Sequence, residues 1–228
     1  MSLTDRAYAL IRRDIVSCTL APGAEFTEID LAERLQMSKT PVREALARLQ
    51  FEGLVKAYPR RGYQITPIRV SDINDIFDAR IVVETGVVAM AVERASDAEL
   101  DQLALLAAAS SDDDYMRDLD HSREVNTEFH EALALATGNL RLHRMVAMTL
   151  KELERFFYLE AQAEDAYPTS HVSHDDIVAI MRQRDPGSAQ RAMREHVDGT
   201  RRILIRSLLN GAIGAREGHK DLLARSDL

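Results

Sequence analysis

Residues 28–65 read EIDLAERLQMSKTPVREALARLQFEGLVKAYPRRGYQI, and this stretch decides the fold of the chain. Its first segment, residues 28–35, has helical spacing of apolar residues, with Thr27 in the N-cap position and Asp30 in the capping-box position. After a two-residue turn, Ser38 can cap a second short helix. Two β-prone runs around a Pro/Arg/Gly turn then predict a hairpin.

Two short helices followed by a basic hairpin form the layout of a winged helix-turn-helix. In that layout the second helix enters the major groove with its N-terminal residues against base edges, and the wing contacts phosphates. Glycine at the wing tip permits a positive φ and a close approach to DNA. The predicted DNA-binding residues are Lys39, Thr40 and Arg43 in the first turn of this helix, Arg48 farther along it, and Arg60, Arg61 and Gly62 at the wing tip.

The charge of the chain is distributed unevenly. The formal net charge is −8, which by itself argues against a nucleic-acid-binding protein. Residues 1–67, however, contain 10 Lys and Arg against 8 Asp and Glu, a net charge of +2. Within them, residues 38–62 contain 6 basic against 2 acidic residues, a net charge of +4. A basic patch on an acidic protein is the electrostatic footprint of a DNA-binding domain.

Cysteine usage and hydropathy indicate the cellular compartment. The single cysteine, Cys18, excludes an internal disulfide framework and fits a reducing cytoplasm. The most apolar short stretch, residues 86–92, is far too short to span a bilayer. The N-terminus does not resemble a signal peptide. We therefore expect a cytoplasmic protein without a membrane partner.

From Ser71 onward the sequence contains only helical signals, separated by breaks. We predict a mainly α protein with a winged helix-turn-helix over residues 1–67 and an antiparallel bundle of about six helices over residues 71–210. A loosely held tail is expected over residues 211–228. The six predicted helices span residues 71–94, 96–109, 118–136, 139–164, 172–184 and 187–209.

Four polar side chains of the helical region have a spacing that suits metal ligands. Asn126 and His130 are four residues apart and share one helix face. His174 lies 11 residues before Asp185 and His196 lies 11 residues after it, so the two are level in an antiparallel hairpin. Three imidazoles and one amide oxygen can hold a divalent ion and leave positions open for water or a ligand. On spacing alone, each histidine is more often a core or surface residue than a ligand.

The N-terminal region resembles the GntR family of bacterial regulators. The resemblance rests on the strings LAERL (residues 31–35), SKTPVREALARL (residues 38–49), EGLV (residues 52–55) and RRGY (residues 60–63). It implies that the operator is contacted by Lys39, Thr40, Arg43 and the Arg61-Gly62 wing. Ile29 is a departure, because some relatives have an arginine there.

Residues 71–210 resemble the FCD ligand-binding domain of the FadR branch of this family. The supporting strings are RIVVE (residues 80–84), NTEFH (residues 126–130), TGN (residues 137–139), HDDI (residues 174–177) and AMREH (residues 192–196). In many such domains an Asp or Asn and three His bind a metal inside the bundle. The resemblance assigns this role to Asn126, His130, His174 and His196, with zinc, nickel or manganese as the ion. A count of six helices indicates the VanR-like subgroup.

Arg80 is the candidate for binding an effector. Ligands of the family are often small carboxylates, and a guanidinium can hold a carboxylate with two parallel hydrogen bonds. The alternative is an ion pair within the helix with Glu84, four residues later.

These patterns predict a ligand-responsive transcription regulator, a repressor or an activator. Because one reading helix per chain needs a two-fold partner, we expect a homodimer on a pseudo-palindromic operator. The alternative is a metal-dependent helical hydrolase with a DNA-binding appendage, in which an Asn/His₃ site activates water. A third interpretation is a DNA-architectural protein with a purely structural metal, whose DNA affinity would not respond to a ligand.

Overall fold

The computed structural model describes residues 1–110, 119–160 and 172–214. The chain divides into two compact units, Met1–Arg69 and Val70–Leu228. The boundary lies close to Pro67, which the sequence marks as the linker. Each unit has buried apolar residues of its own.

Three helices build the N-terminal unit: α1 (Leu3–Val16), α2 (Glu28–Leu35) and α3 (Lys39–Phe51). The predicted capping box at the start of α2 is formed between Thr27 and Asp30. Ser38 occupies the N-cap position of α3 with an extended backbone, but its side chain makes no capping hydrogen bond. Ser38 is therefore the N-cap residue of α3 as predicted, but it does not cap the helix through its hydroxyl.

The wing is a three-stranded antiparallel sheet. Strands β2 (Val55–Tyr58) and β3 (Gly62–Ile65) form the predicted hairpin, and β1 (Glu25–Phe26) pairs with the other edge of β3. The strand order is β1-β3-β2. The hairpin prediction is confirmed, whereas β1 was not predicted, because two residues carry no readable periodicity.

Gly62 is required by the packing of this sheet. Its φ is +101°, and a Cβ atom at this position would overlap the carbonyl oxygen of Phe26. A glycine at the wing tip predicts a close approach to DNA. The structure shows a close approach to the backbone of β1 inside the protein, which only a residue without a side chain allows.

Helices α1 and α3 pack against each other and enclose the core of the N-terminal unit. The core side chains are Ala7, Ile11 and Ile15 of α1, Val42, Ala45, Leu46 and Leu49 of α3, and Val55 and Ile65 of the sheet. Because α3 buries this face, its opposite face, which begins at Lys39 and Thr40, is exposed.

Within the described residues, the second unit contains six helices. They are α4 (Val70–Arg94), α5 (Asp97–Ala109), α6 (Leu119–Leu135), α7 (Leu140–Glu160), α8 (His174–Met181) and α9 (Pro186–Gly214). Their order agrees with the prediction, while the predicted ends at residues 118 and 164 lie outside the described residues. Helix α9 continues past residue 211, where we expected the tail, because a lone glycine costs a helix only about 1 kcal/mol relative to alanine. The rest of the predicted tail, residues 215–228, lies outside the described residues.

Helix α4 lies at the centre of the second unit. It forms the most extensive helix pair of the chain with α9 and also contacts α6 and α7. Its buried face is apolar, as at Phe77 and Val88, except for Arg80 and Glu84, which are also buried. In the described ranges, no helix is long and apolar enough to cross a membrane.

Candidate functional site

Three histidines from three helices meet inside the second unit. His130 lies on α6, His174 is the first residue of α8, and His196 lies on α9. All three are buried, and each offers one ring nitrogen within 4.8 Å of the other two. The Nε2 atoms of His130 and His174 are 3.4 Å apart.

The turn between α8 and α9 brings His174 and His196 side by side. Their ring centroids are 4.7 Å apart. The chain reverses next to Arg184, which has a φ of 56°, and Asp185 accepts hydrogen bonds from backbone N–H groups at the start of α9. Equal spacing from Asp185 therefore places the two imidazoles at the same level. The histidine at position 171 lies outside the described residues.

The hydrogen-bond partners of His196 and His174 determine which ring nitrogen carries the hydrogen. His196 Nδ1 lies 2.8 Å from the carbonyl oxygen of Val172, which can only accept, so Nδ1 is the donor. Ser110 Oγ donates to the carbonyl oxygen of Ala107 and therefore accepts from His174 Nδ1 at 2.7 Å. In both rings the lone pair remains on Nε2, which is the form that binds metals.

A buried ion pair on α4 contacts the third histidine. His130 Nδ1 lies 2.7 Å from Glu84 Oε2. Arg80 donates from Nε to Glu84 Oε1 at 2.5 Å, and its Nη2 lies 3.5 Å from His130 Nε2. A carboxylate on Nδ1 and a guanidinium near Nε2 both favour the tautomer with its lone pair on Nε2. All three side chains are at most 2% exposed.

Burial and neighbouring groups determine the protonation states of His196 and Glu84. Burial lowers the pKa of His196 to about 3, so this ring is neutral at pH 7. Burial alone would raise the pKa of Glu84. The charge of Arg80 and the hydrogen bonds from His130 and Arg80 outweigh burial, so the pKa of Glu84 falls below its usual range and the group is ionised.

The nitrogen spacing fits a metal ion. Two Nε2 lone pairs 3.4 Å apart repel each other, because neither atom has a hydrogen to donate. Nitrogen ligands about 2.0–2.1 Å from a tetrahedral zinc ion lie roughly 3.4 Å apart, so this spacing is that of two ligands on one ion. The three imidazoles therefore fit the metal that the sequence predicts. Asn126 lies one helical turn before His130 on α6 and is half-buried, and its role as the fourth ligand stays a prediction.

Arg80 forms an ion pair with Glu84, which is the alternative that the sequence predicts for it. Its guanidinium contacts both carboxylate oxygens of Glu84, at 2.5 and 3.3 Å. Its position beside His130 also suits a carboxylate bound at the histidine cluster. Binding of an effector by Arg80 stays a prediction.

The predicted DNA-binding residues lie on two exposed parts of the N-terminal unit. Lys39, Thr40 and Arg43 are exposed in the first two turns of α3. The first turn of this helix contains no acidic residue. Arg60 and Arg61 are exposed in the turn between β2 and β3. This placement presents positive charge at both positions where a winged helix-turn-helix contacts DNA.

Arg48 is placed differently from the other basic residues of α3. Its Nη1 lies 3.0 Å from Asp5 Oδ1, and its guanidinium stacks over the ring of Tyr8 at 4.0 Å from the ring centroid. Both partners belong to α1. Arg48 therefore joins α3 to α1, and its predicted contact with the DNA backbone remains untested.

Some contacts at these sites could not be found from sequence spacing. Ser110, which orients His174, lies 64 residues before it in the chain. Glu28, which contacts Arg43 through both carboxylate oxygens, comes from α2. The only sequence signals were a hydroxyl near a helix end and an acidic residue in a helix first turn, and both have common local explanations.

Comparison with protein families assigns both units. Residues 3–65 match the bacterial regulatory proteins of the gntR family, and residues 75–199 match the FCD domain. The chain is 25% identical over 195 residues to the HTH-type transcriptional repressor RspR of Escherichia coli K12, covering 86% of each chain. It is 28% identical over 198 residues to the HTH-type transcriptional repressor GlaR of the same strain, covering 83% of this chain and 90% of GlaR.

Solved structures with the same fold include E. coli McbR/YncC. The TM-score is 0.67 at 21% identity, and the match covers 91% of this chain and 99% of that one. A GntR transcriptional regulator from Rhodococcus sp. RHA1 matches with a TM-score of 0.66 at 21% identity, over 90% of this chain and 99% of its own length. At this level of identity, the likeness concerns the fold.

Proposed function

Because this chain belongs to the GntR family and carries an FCD domain, it is a DNA-binding transcription regulator with a C-terminal effector-binding domain, and we propose that a divalent metal in that domain helps to bind a small carboxylate. Relatives with this architecture are named transcriptional regulators rather than enzymes. The hydrolase interpretation is therefore set aside.

In this proposal α3 and the wing contact the operator. The support is the exposed positive charge of Lys39, Arg43 and the wing tip at Arg60 and Arg61. One reading helix per chain supports a homodimer on a pseudo-palindrome. Two relatives are named repressors, and we propose repression, in the cytoplasm, for this chain also. The six helices in the described part of the second unit support the VanR-like subgroup.

The metal would be held by His130, His174 and His196, with Asn126 as the fourth ligand. When bound, the ion supplies a Lewis-acidic position that accepts a carboxylate oxygen. Zinc, nickel and manganese all suit three nitrogens and one oxygen. The single observation that carries this proposal is the distance of 3.4 Å between the Nε2 atoms of His130 and His174 in a buried site.

Arg80 would receive the carboxylate of the effector. Its guanidinium lies beside Nε2 of His130, the nitrogen that would coordinate the metal. Glu84 already contacts this guanidinium. An incoming carboxylate must therefore share Arg80 with Glu84 or displace it. Both residues lie on α4, the helix that directly follows the DNA-binding unit in the chain.

Elemental analysis of protein purified without chelator and without a nickel column tests the metal. We expect about one divalent ion per chain, and loss of the ion in a His174→Ala/His196→Ala double variant. His143→Ala is the matched control, because this histidine contacts Glu131 at 3.0 Å and is not part of the cluster. Wild-type protein without metal after supplementation, or a double variant that retains it, would contradict the proposal.

Thermal unfolding with a panel of small carboxylates tests the effector class. A carboxylate present at 100 times its Kd should stabilise the metal-loaded protein by about 2.7 kcal/mol. Arg80→Lys keeps the charge and removes the two-pronged geometry, so this variant should lose most of the stabilisation. Equal stabilisation of both proteins would exclude Arg80 as the carboxylate receptor.

A further inference from the structure

An exposed arginine of the reading helix is held in one orientation by a carboxylate from a different helix. Arg43 Nε lies 3.0 Å from both carboxylate oxygens of Glu28, and Arg43 Nη2 lies 2.7 Å from Glu28 Oε2. The side chain of Arg43 is nonetheless 63% exposed. An exposed arginine ordinarily samples many rotamers, and this contact restricts it.

The carboxylate is itself held by the wing. The hydroxyl of Tyr63 on β3 donates to Glu28 Oε1 at 3.1 Å. The ring of Tyr63 is half-buried and stacks on Phe26 of β1, with 5.8 Å between centroids and 14° between planes. A chain of contacts therefore runs from the sheet through Tyr63 and Glu28 to Arg43.

The contact occupies one edge of the guanidinium and leaves another edge available. Glu28 takes the side formed by Nε and Nη2. The end of the group, formed by Nη1 and the second hydrogen of Nη2, still presents two parallel N–H donors along the direction of the side chain. In the major groove, guanine is the base that offers two acceptors, O6 and N7, to such a pair, whereas adenine offers one acceptor and one donor.

We infer that Glu28 and Tyr63 are positioning residues that orient Arg43 to read a guanine in each operator half-site. The inference rests on the proposed role of Arg43 in operator contact. This role explains a negative charge, that of Glu28, beside the surface proposed to contact DNA. By its charge alone, Glu28 would weaken DNA binding. Affinity is reduced by Glu28, and discrimination between bases is increased by it.

The two effects can be separated with the full-length chain. The operator is first obtained by selection from a randomised duplex pool, and the position read by Arg43 is the one whose preference is lost in Arg43→Ala. Wild-type protein should prefer guanine at this position by about tenfold or more. In Glu28→Gln, this preference should fall to about two- to threefold, while binding to a non-specific duplex becomes equal or tighter.

Two further variants control for charge and for folding. Glu33→Gln removes the same charge from an exposed position of the same helix, and its guanine preference should equal that of the wild type. Tyr63→Phe keeps the stacked ring and removes only the hydroxyl, so it should lower the preference with the thermal unfolding midpoint little changed. The base preference measured with Tyr63→Phe therefore tests the positioning role even if Glu28→Gln does not fold.

Binding by these variants separates the positioning role of Glu28 and Tyr63 from the proposed DNA interface. Unchanged operator affinity in Arg43→Ala would overturn the proposed DNA interface itself. A loss of affinity in Arg43→Ala, with a guanine preference in Glu28→Gln and Tyr63→Phe within twofold of the wild type, would overturn only the positioning role. A base other than guanine at the Arg43 position would overturn the assigned specificity.

Discussion

Glu84 Oε2 lies 2.7 Å from His130 Nδ1, on the side of the imidazole opposite the nitrogen that faces His174. Both side chains are 1% exposed. A carboxylate in this position fixes the tautomer of a ligand histidine and raises its basicity. Glu84 therefore has two partners, His130 and Arg80, which link the histidine cluster to α4.

Replacement of Glu84 by glutamine should weaken metal binding. We expect a loss of about 10–100-fold in affinity, because His130 loses the charge that orients it. Removal of one partner of the buried Arg80 pair should also lower the free energy of unfolding by about 3–5 kcal/mol. Competition with a chromophoric chelator, at a temperature where circular dichroism shows folded protein, measures the affinity.

The matched control is Glu131→Gln. Glu131 contacts His143 at 3.0 Å in a partly exposed pair, where the carboxylate side chain is 34% exposed. Such pairs contribute about 0–1 kcal/mol, so metal affinity and stability should both stay close to the wild type. If Glu84→Gln bound metal as tightly as this control, Glu84 would have no orienting role.

Arg61 and Arg48 should differ in how they affect salt dependence. Arg61→Ala should lower the slope of log affinity against log salt by about 1, because an exposed wing arginine neutralises a phosphate. Arg48→Ala should leave the slope unchanged and lower stability by about 0.5–1 kcal/mol, because its charge faces Asp5 and Tyr8. Gel-shift titrations at several salt concentrations measure both slopes. A slope reduced by about 1 in Arg48→Ala would instead support its predicted contact with the DNA backbone.

Alanine substitutions at two glycines should separate backbone strain from packing. Gly53 has a φ of +74° and nothing within 4 Å of an added Cβ, whereas a Cβ at Gly62 would overlap Phe26. Gly53→Ala should lower the free energy of unfolding by about 1–2 kcal/mol from its left-handed backbone alone. Gly62→Ala should lower the free energy of unfolding by more than this. It should also weaken operator binding, because β1 and β3 must separate to make room for the added Cβ atom. Urea unfolding measures the difference, and equal losses would show that the overlap is relieved without cost.

The single reading helix of each chain predicts a homodimer. Two half-sites one helical turn apart, about 34 Å, require two copies related by a two-fold axis. Light scattering should therefore give twice the mass of 25.6 kDa for the free protein, and the selected operator should be a pseudo-palindrome. A monomer both free and on DNA would contradict this prediction.

The sequence by itself determined the helices, the β2–β3 hairpin and their order along the chain. The capping box between Thr27 and Asp30 and the helical spacing of buried residues are local signals, read over one or two turns of chain. The equal distances of His174 and His196 from Asp185 also predicted that the two side chains lie at the same level, because a helical hairpin converts sequence separation directly into height.

Only the tertiary structure decided which partners these residues have. Glu84 was visible as a helix neighbour of Arg80, but its contact with His130 depends on how α4 packs against α6. The contact of Arg43 with Glu28 and the overlap that excludes a side chain at Gly62 likewise join segments from different elements. Periodicity specifies which face of a helix or strand is buried. It does not specify which side chain of another element lies opposite, because that depends on packing between elements distant in the chain.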